Sequence, residues 1–216
     1  MRNTLTNMKQ DRLQNRASIM RLTSIAMRYY FALIPLVITG LLSGCSTETA
    51  YFPKRAEHYY PKYLQAMNES SLYAQHSHAV TEQYRFLCLP SFQKPFAIRV
   101  QKDASGAWLR VVRLSGMDGQ SDHIDYDKTF MISSIEWDRF RVLLAKTSFW
   151  NMPSREKNDP AGFDGSQEIL EGRVGDKYHV VDRWTPQAAT EERHLTEFVA
   201  CGQLLLQLSK LEADKK

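Results

Sequence analysis

Cysteine is scarce in this chain: three occur among 216 residues, at positions 45, 88 and 201, and no two form a CxxC pair. Tetrathiolate zinc modules and thioredoxin-like redox sites are thereby excluded. Glycine is sparse as well, with ten in all, and none builds a phosphate-cradling loop, a GxSxG nucleophile elbow or a dinucleotide fingerprint. An HExxH metalloprotease helix is also missing. Long apolar runs are lacking too. The stretch Tyr29 to Leu42 has no charge, but its 14 residues are interrupted by Pro35 and Gly40, whereas a spanning helix needs roughly 20 apolar residues. No internal repeat and no low-complexity tract is visible.

The apolar stretch has a context. It follows Arg2, Lys9, Arg12, Arg16, Arg21 and Arg28 against the single acid Asp11, and it leads through small residues into "LSGC", Leu42 to Cys45. A basic region, a short apolar core and a small-residue junction form an export leader. The junction resembles the lipobox of bacterial lipoproteins. That resemblance implies cleavage before Cys45, acylation of its thiol and of the new amino group, and a Gram-negative envelope location. Several acyl chains hold a protein stably where one gives only marginal binding. Ser46 rather than Asp after the cysteine implies sorting to the outer membrane, facing the periplasm. "MRYYFALIPLVITGLLSGC" is itself a complete leader, which makes Met27 the expected start. The alternative is an uncleaved anchor, since Tyr29 to Thr47 is 19 uncharged residues.

The expected organisation is therefore a leader over 1–44, a lipidated cysteine and tether over 45–60, and one domain over 61–216. The leader also explains the charge. It carries six of the 28 basic and one of the 24 acidic residues, so the remainder has 22 against 23 and is near −1. A nucleic-acid partner, which needs a basic face on the folded domain, is not expected. With Cys45 acylated, Cys88 and Cys201 form an even pair in an oxidising compartment. A bridge between them would close a loop worth on the order of 4 to 5 kcal/mol in the chain-entropy model. Two buried free thiols are the alternative.

Periodicity yields an α+β fold: a single antiparallel sheet of five to six strands, a meander plus a C-terminal hairpin, with two or three helices on one face. Pro61 begins a helix expected to run to about Tyr73. Strands are expected at "QYRFLCL", "PFAIRVQ", "AWLRVVRLS" and "YDKTFMIS", from Gln83, Pro95, Ala107 and Tyr126. Ser133 and Glu136 form a capping box ahead of a helix with the stripe Trp137, Phe140 and Leu144. The segments "SQEILEGRV" and "KYHVVDRW" form a hairpin about Gly175 and Asp176. Thr190 is the expected N-cap of a last helix bearing Leu195, Phe198, Val199, Gly202, Leu205 and Leu206.

Glu136-Trp137 with Phe140, Phe149-Trp150 with Pro153, "FDGSQEILEG" from Phe163 and "YHVVDRWTP" from Tyr178 resemble a family of uncharacterised proteobacterial proteins, many of them lipoproteins. The resemblance covers Tyr84 to Leu211 and implies fold and bacterial origin, not an activity. This chain departs from the family pattern at Glu168, where a tryptophan is usual.

A two-residue loop fixes the hairpin register. Glu171 then lies opposite Val180, Asp182 opposite Ile169 and Trp184 opposite Gln167, so Glu171, Tyr178, Asp182 and Trp184 share one face. His179 shares the other with Arg183, which excludes a His179/Asp182 dyad and sets Glu168 across from Arg183 as an ion pair at the sheet end. Two carboxylates beside aromatic platforms suit a carbohydrate site, with peptidoglycan as the periplasmic substrate; a half-solvated sheet face is the alternative. His76 with His78, and Asp118, Asp122, Asp125 and Asp127, carry oxygen and nitrogen donors without metal-site spacing, so neither metal nor cofactor is expected. The function expected is a non-enzymatic lipoprotein that binds an envelope partner or supports the envelope. A peptidoglycan hydrolase using Glu171 and Asp182 is the second reading, and an inhibitor or immunity lipoprotein the third.

Overall fold

The computed structural model describes residues 60–74, 82–116, 123–157, 162 and 164–211, all within the unit Thr49–Lys216. Strands β1 (Glu82–Pro90), β2 (Phe96–Asp103), β3 (Gly106–Leu114), β4 (Ile124–Ile132), β5 (Ser166–Val174) and β6 (Lys177–Trp184) form one antiparallel sheet in the order β4-β3-β2-β1-β5-β6. The first four make the meander and the last two the hairpin, which joins the meander through β1 and β5. The structure is α+β, with helices α1 (Pro61–Ala66), α2 (Ser134–Lys146) and α3 (Thr196–Ser209) and a short 3-10 turn at Phe149–Asn151.

Alternation along the strands divides the core in two. Tyr84, Phe86, Ile98, Leu109, Leu170 and Val181 face one way and are covered by Trp137, Phe140 and Leu144 of α2 and by Phe198, Cys201 and Leu205 of α3. Each such large side chain contributes about 1.5 to 3 kcal/mol on burial. Leu87, Leu89, Ala97, Val112, Ile169 and Val180 face the other way and pack under Tyr60, Tyr63, Leu64 and Met67. The two long helices thus share one face, while the short first helix covers the opposite one. Ser133 caps α2 reciprocally with Glu136, as its spacing requires.

Three local expectations are corrected. Helix α1 stops at Ala66 rather than near Tyr73. Asn68 takes a left-handed conformation at φ 51°, a geometry asparagine tolerates, and the chain then turns Glu69 down into the sheet. Helix α3 begins at Thr196, with Leu195 at its N-cap. The Thr190 hydroxyl instead donates to the carbonyls of Pro186 and Gln187, within a segment holding Ala189 and His194 at positive φ. Cys88 and Cys201 are buried free thiols, not a bridge. Burial pushes Cys201 up to about 12 and Cys88 well above its ordinary value, so neither is poised as a thiolate. Among the described residues, no helix is long and apolar enough to cross a membrane.

Gly172 of β5 lies where Phe149 and Tyr84 press onto the sheet. A Cβ there would sit 2.7 Å from both rings, so only glycine admits their approach.

Candidate functional site

The hairpin register is as the two-residue loop dictates: Glu171 pairs with Val180, Asp182 with Ile169, Glu168 with Arg183 and Gln167 with Trp184. Glu171, Tyr178 and Asp182 therefore do share a face, but that face is closed. Glu171 is 0% exposed and Asp182 3%. Glu171 accepts from Arg85 Nε at 2.8 Å, from Arg85 Nη2 at 2.5 Å and from the Tyr178 hydroxyl at 2.9 Å. Burial pushes the Glu171 carboxyl up, opposed by the Arg85 guanidinium and the Tyr178 hydroxyl. A raised carboxyl suits a general acid, yet all its hydrogen-bonding capacity is directed into the fold.

Asp182 is held separately. Its Oδ2 accepts from the Tyr60 hydroxyl at 2.7 Å and from Arg155 Nε at 3.0 Å, and its Oδ1 from Gln167 Nε2. Burial and the neighbouring Asp182 charge hold Tyr60 well above its ordinary value. Tyr178 is covered by Tyr73, whose ring stands edge-on with centroids 5.1 Å apart. Trp184 turns to Gly162 and Gly165, and a Cβ on Gly165 would come within 2.9 Å of the indole. The expected pair of carboxylates beside two open aromatic platforms is thus replaced by two separate enclosed clusters. Cys45, His76, His78, Asp118 and Asp122 lie outside the described residues. Asp125 is bound by Lys94 and Arg113, and Asp127 by Arg110.

What closes this face is a set of residues that strand periodicity alone does not single out. Arg110, Arg99 and Arg85 are register partners across β3, β2 and β1, and Arg85 is in turn paired with Glu171 of β5. Three guanidiniums in a row would repel one another, and Glu69 lies across all of them. Its Oε2 is 3.3 Å from Arg85 Nη1 and 3.2 Å from Arg99 Nε, while its Oε1 meets Arg110 Nη1. The backbone after α1 is held by Arg85 and by Arg173 of β5. Arg85 Nη1 donates to the Ser70 carbonyl at 2.7 Å, and Arg173 Nη1 to those of Leu72 and Tyr73 at 3.1 and 3.0 Å. The residues after α1 form a strap fastened by arginines. A signal existed in the sequence, because each of three consecutive apolar strands carries one arginine near its middle.

Among the described residues the opposite face carries a groove. Between α3 and the ends of β1, β2 and β5 runs a groove of about 420 Å³, walled by Phe86, Phe96, Val199 and Leu206, with Phe92 at its rim and Glu168 at its base. Helix α3 comes close because residue 202 is glycine; a Cβ there would be 2.9 Å from the Phe86 ring. Glu168 is 5% exposed, and the expected ion pair with Arg183 at the sheet end is corrected, because each side chain is engaged by other groups. Arg183, also buried, donates to the carbonyls of Ser154 and Pro153, pinning the loop whose Ser154 carbonyl accepts from Asp182 N at 2.8 Å on the outer edge of β6. Glu168 Oε1 accepts from Gln187 Nε2 at 2.7 Å and from Ser166 Oγ at 3.2 Å. Burial raises the Glu168 carboxyl, and these two hydrogen bonds oppose the rise. Apolar walls around a few convergent polar groups are the composition of a ligand site.

No known family's model matches this chain, and no curated protein matches it.

Proposed function

We propose that this chain is an outer-membrane lipoprotein, held in the Gram-negative envelope by acyl chains on Cys45, whose periplasmic α+β domain binds a partner or ligand rather than cleaving one. The observation that carries the anchoring is "LSGC" behind a basic and then apolar leader. The strap supports the binding role, because the first residues after the tether are fastened to the sheet by buried arginines.

The enclosure of Glu171 and Asp182 weighs against the hydrolase reading. Each carboxylate is engaged by an arginine, and neither faces open space. Purified peptidoglycan incubated with the full chain is expected to release no muropeptides, and Glu171→Gln and Asp182→Asn are expected to leave that result unchanged. Muropeptide release lost in both variants would reverse the assignment. A pull-down from native membranes with the anchor intact tests the binding role directly: a stoichiometric envelope component is expected, and its retention by a groove-filled Leu206→Trp variant would direct attention away from the groove.

A further inference from the structure

The lining of the groove between α3 and the sheet is one-signed. Among the described residues it includes Asp164 and Glu168 and no lysine, arginine or histidine. Glu168 comes from β5 on the same side as Phe86 and Cys88, whereas the neighbouring face of that strand carries the arginine-bound Glu171. Among the described residues both hydrogen bonds to the Glu168 carboxyl fall on Oε1, and Oε2 is the oxygen offered to an occupant. Around it stand three phenylalanine rings, two in the walls and Phe92 at the mouth, 69% exposed. The chemistry that complements a recessed carboxylate ringed by aromatic faces is a cation carried on an apolar body: the ammonium satisfies the carboxylate, the body fills the walls, and the ring faces favour positive charge. An anionic ligand would meet two carboxylates. A neutral one would leave the Glu168 oxygen without a charged partner. About 420 Å³ is near the lower end of small-molecule sites and suits a single ring with a short chain.

We propose that this groove binds a primary organic amine with an apolar body, its ammonium against Glu168 and its body between Phe86, Phe96 and Leu206. The inference rests on the groove being the domain's binding site and is independent of the anchoring at Cys45. Cys88 of β1 is the register partner of Glu168, Gln187 donates to its carboxyl, and Asp164, Gln93, Ser166, Thr185 and Gln203 are the other polar residues of the lining.

The test uses the full-length chain in phosphatidylcholine nanodiscs, with empty nanodiscs subtracted, titrated calorimetrically at pH 7.5 with 4-phenylbutylamine, 4-phenylbutanol and 4-phenylbutyrate. The amine is expected to bind about tenfold tighter than the alcohol, as one charge-assisted hydrogen bond allows, with the carboxylate weakest. Glu168→Gln is expected to bring the amine to the level of the alcohol. Leu206→Trp, on a half-buried position of α3, is expected to remove both; circular dichroism melts check that each variant is folded. Equal binding of amine and alcohol, both lost in Leu206→Trp, would keep the groove as the binding site and overturn the amine assignment. An amine affinity unchanged in Glu168→Gln would overturn it too. Failure of all three probes to bind the wild type would overturn both the assignment and the groove.

Discussion

Nη2 of Arg85 lies 2.5 Å from Oε2 of Glu171 with both side chains fully enclosed, and Glu69 approaches the same guanidinium at 3.3 Å from the strap above. A buried pair of this kind adds little over a well-packed apolar pair, but breaking it leaves a charge with nowhere to go. Arg85→Met is therefore expected to cost about 3 to 5 kcal/mol in urea unfolding. The double variant Arg85→Met, Glu171→Leu should recover a large part of that loss. Additive losses in the double-mutant cycle would mean that the two groups are not coupled.

Glu69 is the anion shared by Arg85, Arg99 and Arg110. Glu69→Gln keeps its shape and removes its charge. It is expected to destabilise the domain by about 2 kcal/mol or more, as for other buried charged groups deprived of a partner. Because the strap is fastened through this residue, limited proteolysis within residues 60–74 should accelerate before the sheet unfolds. Unchanged protection of that segment would refute the fastening role.

Glu168 gives a pH dependence of definite sign. Burial raises its folded carboxyl above the unfolded value, so the folded state binds the proton more tightly. Its contribution to stability is then complete below the unfolded value, about 4.3, and is lost as pH rises through the raised folded value. Glu168→Gln lacks this loss. The melting temperature of the variant relative to wild type should therefore rise between pH 4 and pH 8. A constant difference would show that Glu168 titrates alike in both states.

At Gly172, the 2.7 Å approach of Phe149 and Tyr84 leaves no room for a methyl group. Gly172→Ala should cost about 1 to 3 kcal/mol by overpacking, measured as a lower denaturation midpoint at constant slope. A gain in stability, as substituting a glycine in a strand ordinarily brings, would show that the rings move aside.

The sheet was legible because short apolar, β-prone runs are separated by proline and turn residues and because a two-residue loop leaves the hairpin one register, which paired Glu171 with Val180. The capping box of Ser133 and Glu136 was legible for a similarly local reason. What local pattern could not reveal was what covers each face. Glu171 reads as a half-exposed acid until Arg85, 86 positions earlier, and the strap are brought over it. Helix α1 was overextended because the pull of three arginines on Glu69 acts through the tertiary fold. Thr190 looked like a cap because its hydroxyl is of the right type, whereas the chain uses it inside a turn. Register places Glu168 opposite Arg183 and so suggests an ion pair, but register does not say that Arg183 turns to the carbonyls of Pro153 and Ser154.

The central claim is that the domain hangs from the envelope by a lipidated Cys45, and the most direct measurement is membrane fractionation with intact mass of wild type and Cys45→Ala expressed in a Gram-negative host. The account predicts wild type in the outer-membrane fraction, beginning at Cys45 and heavier than its polypeptide by its acyl chains, and a Cys45→Ala protein that lacks the added mass and leaves that fraction. Wild type of unmodified mass, fractionating identically to Cys45→Ala, would contradict it.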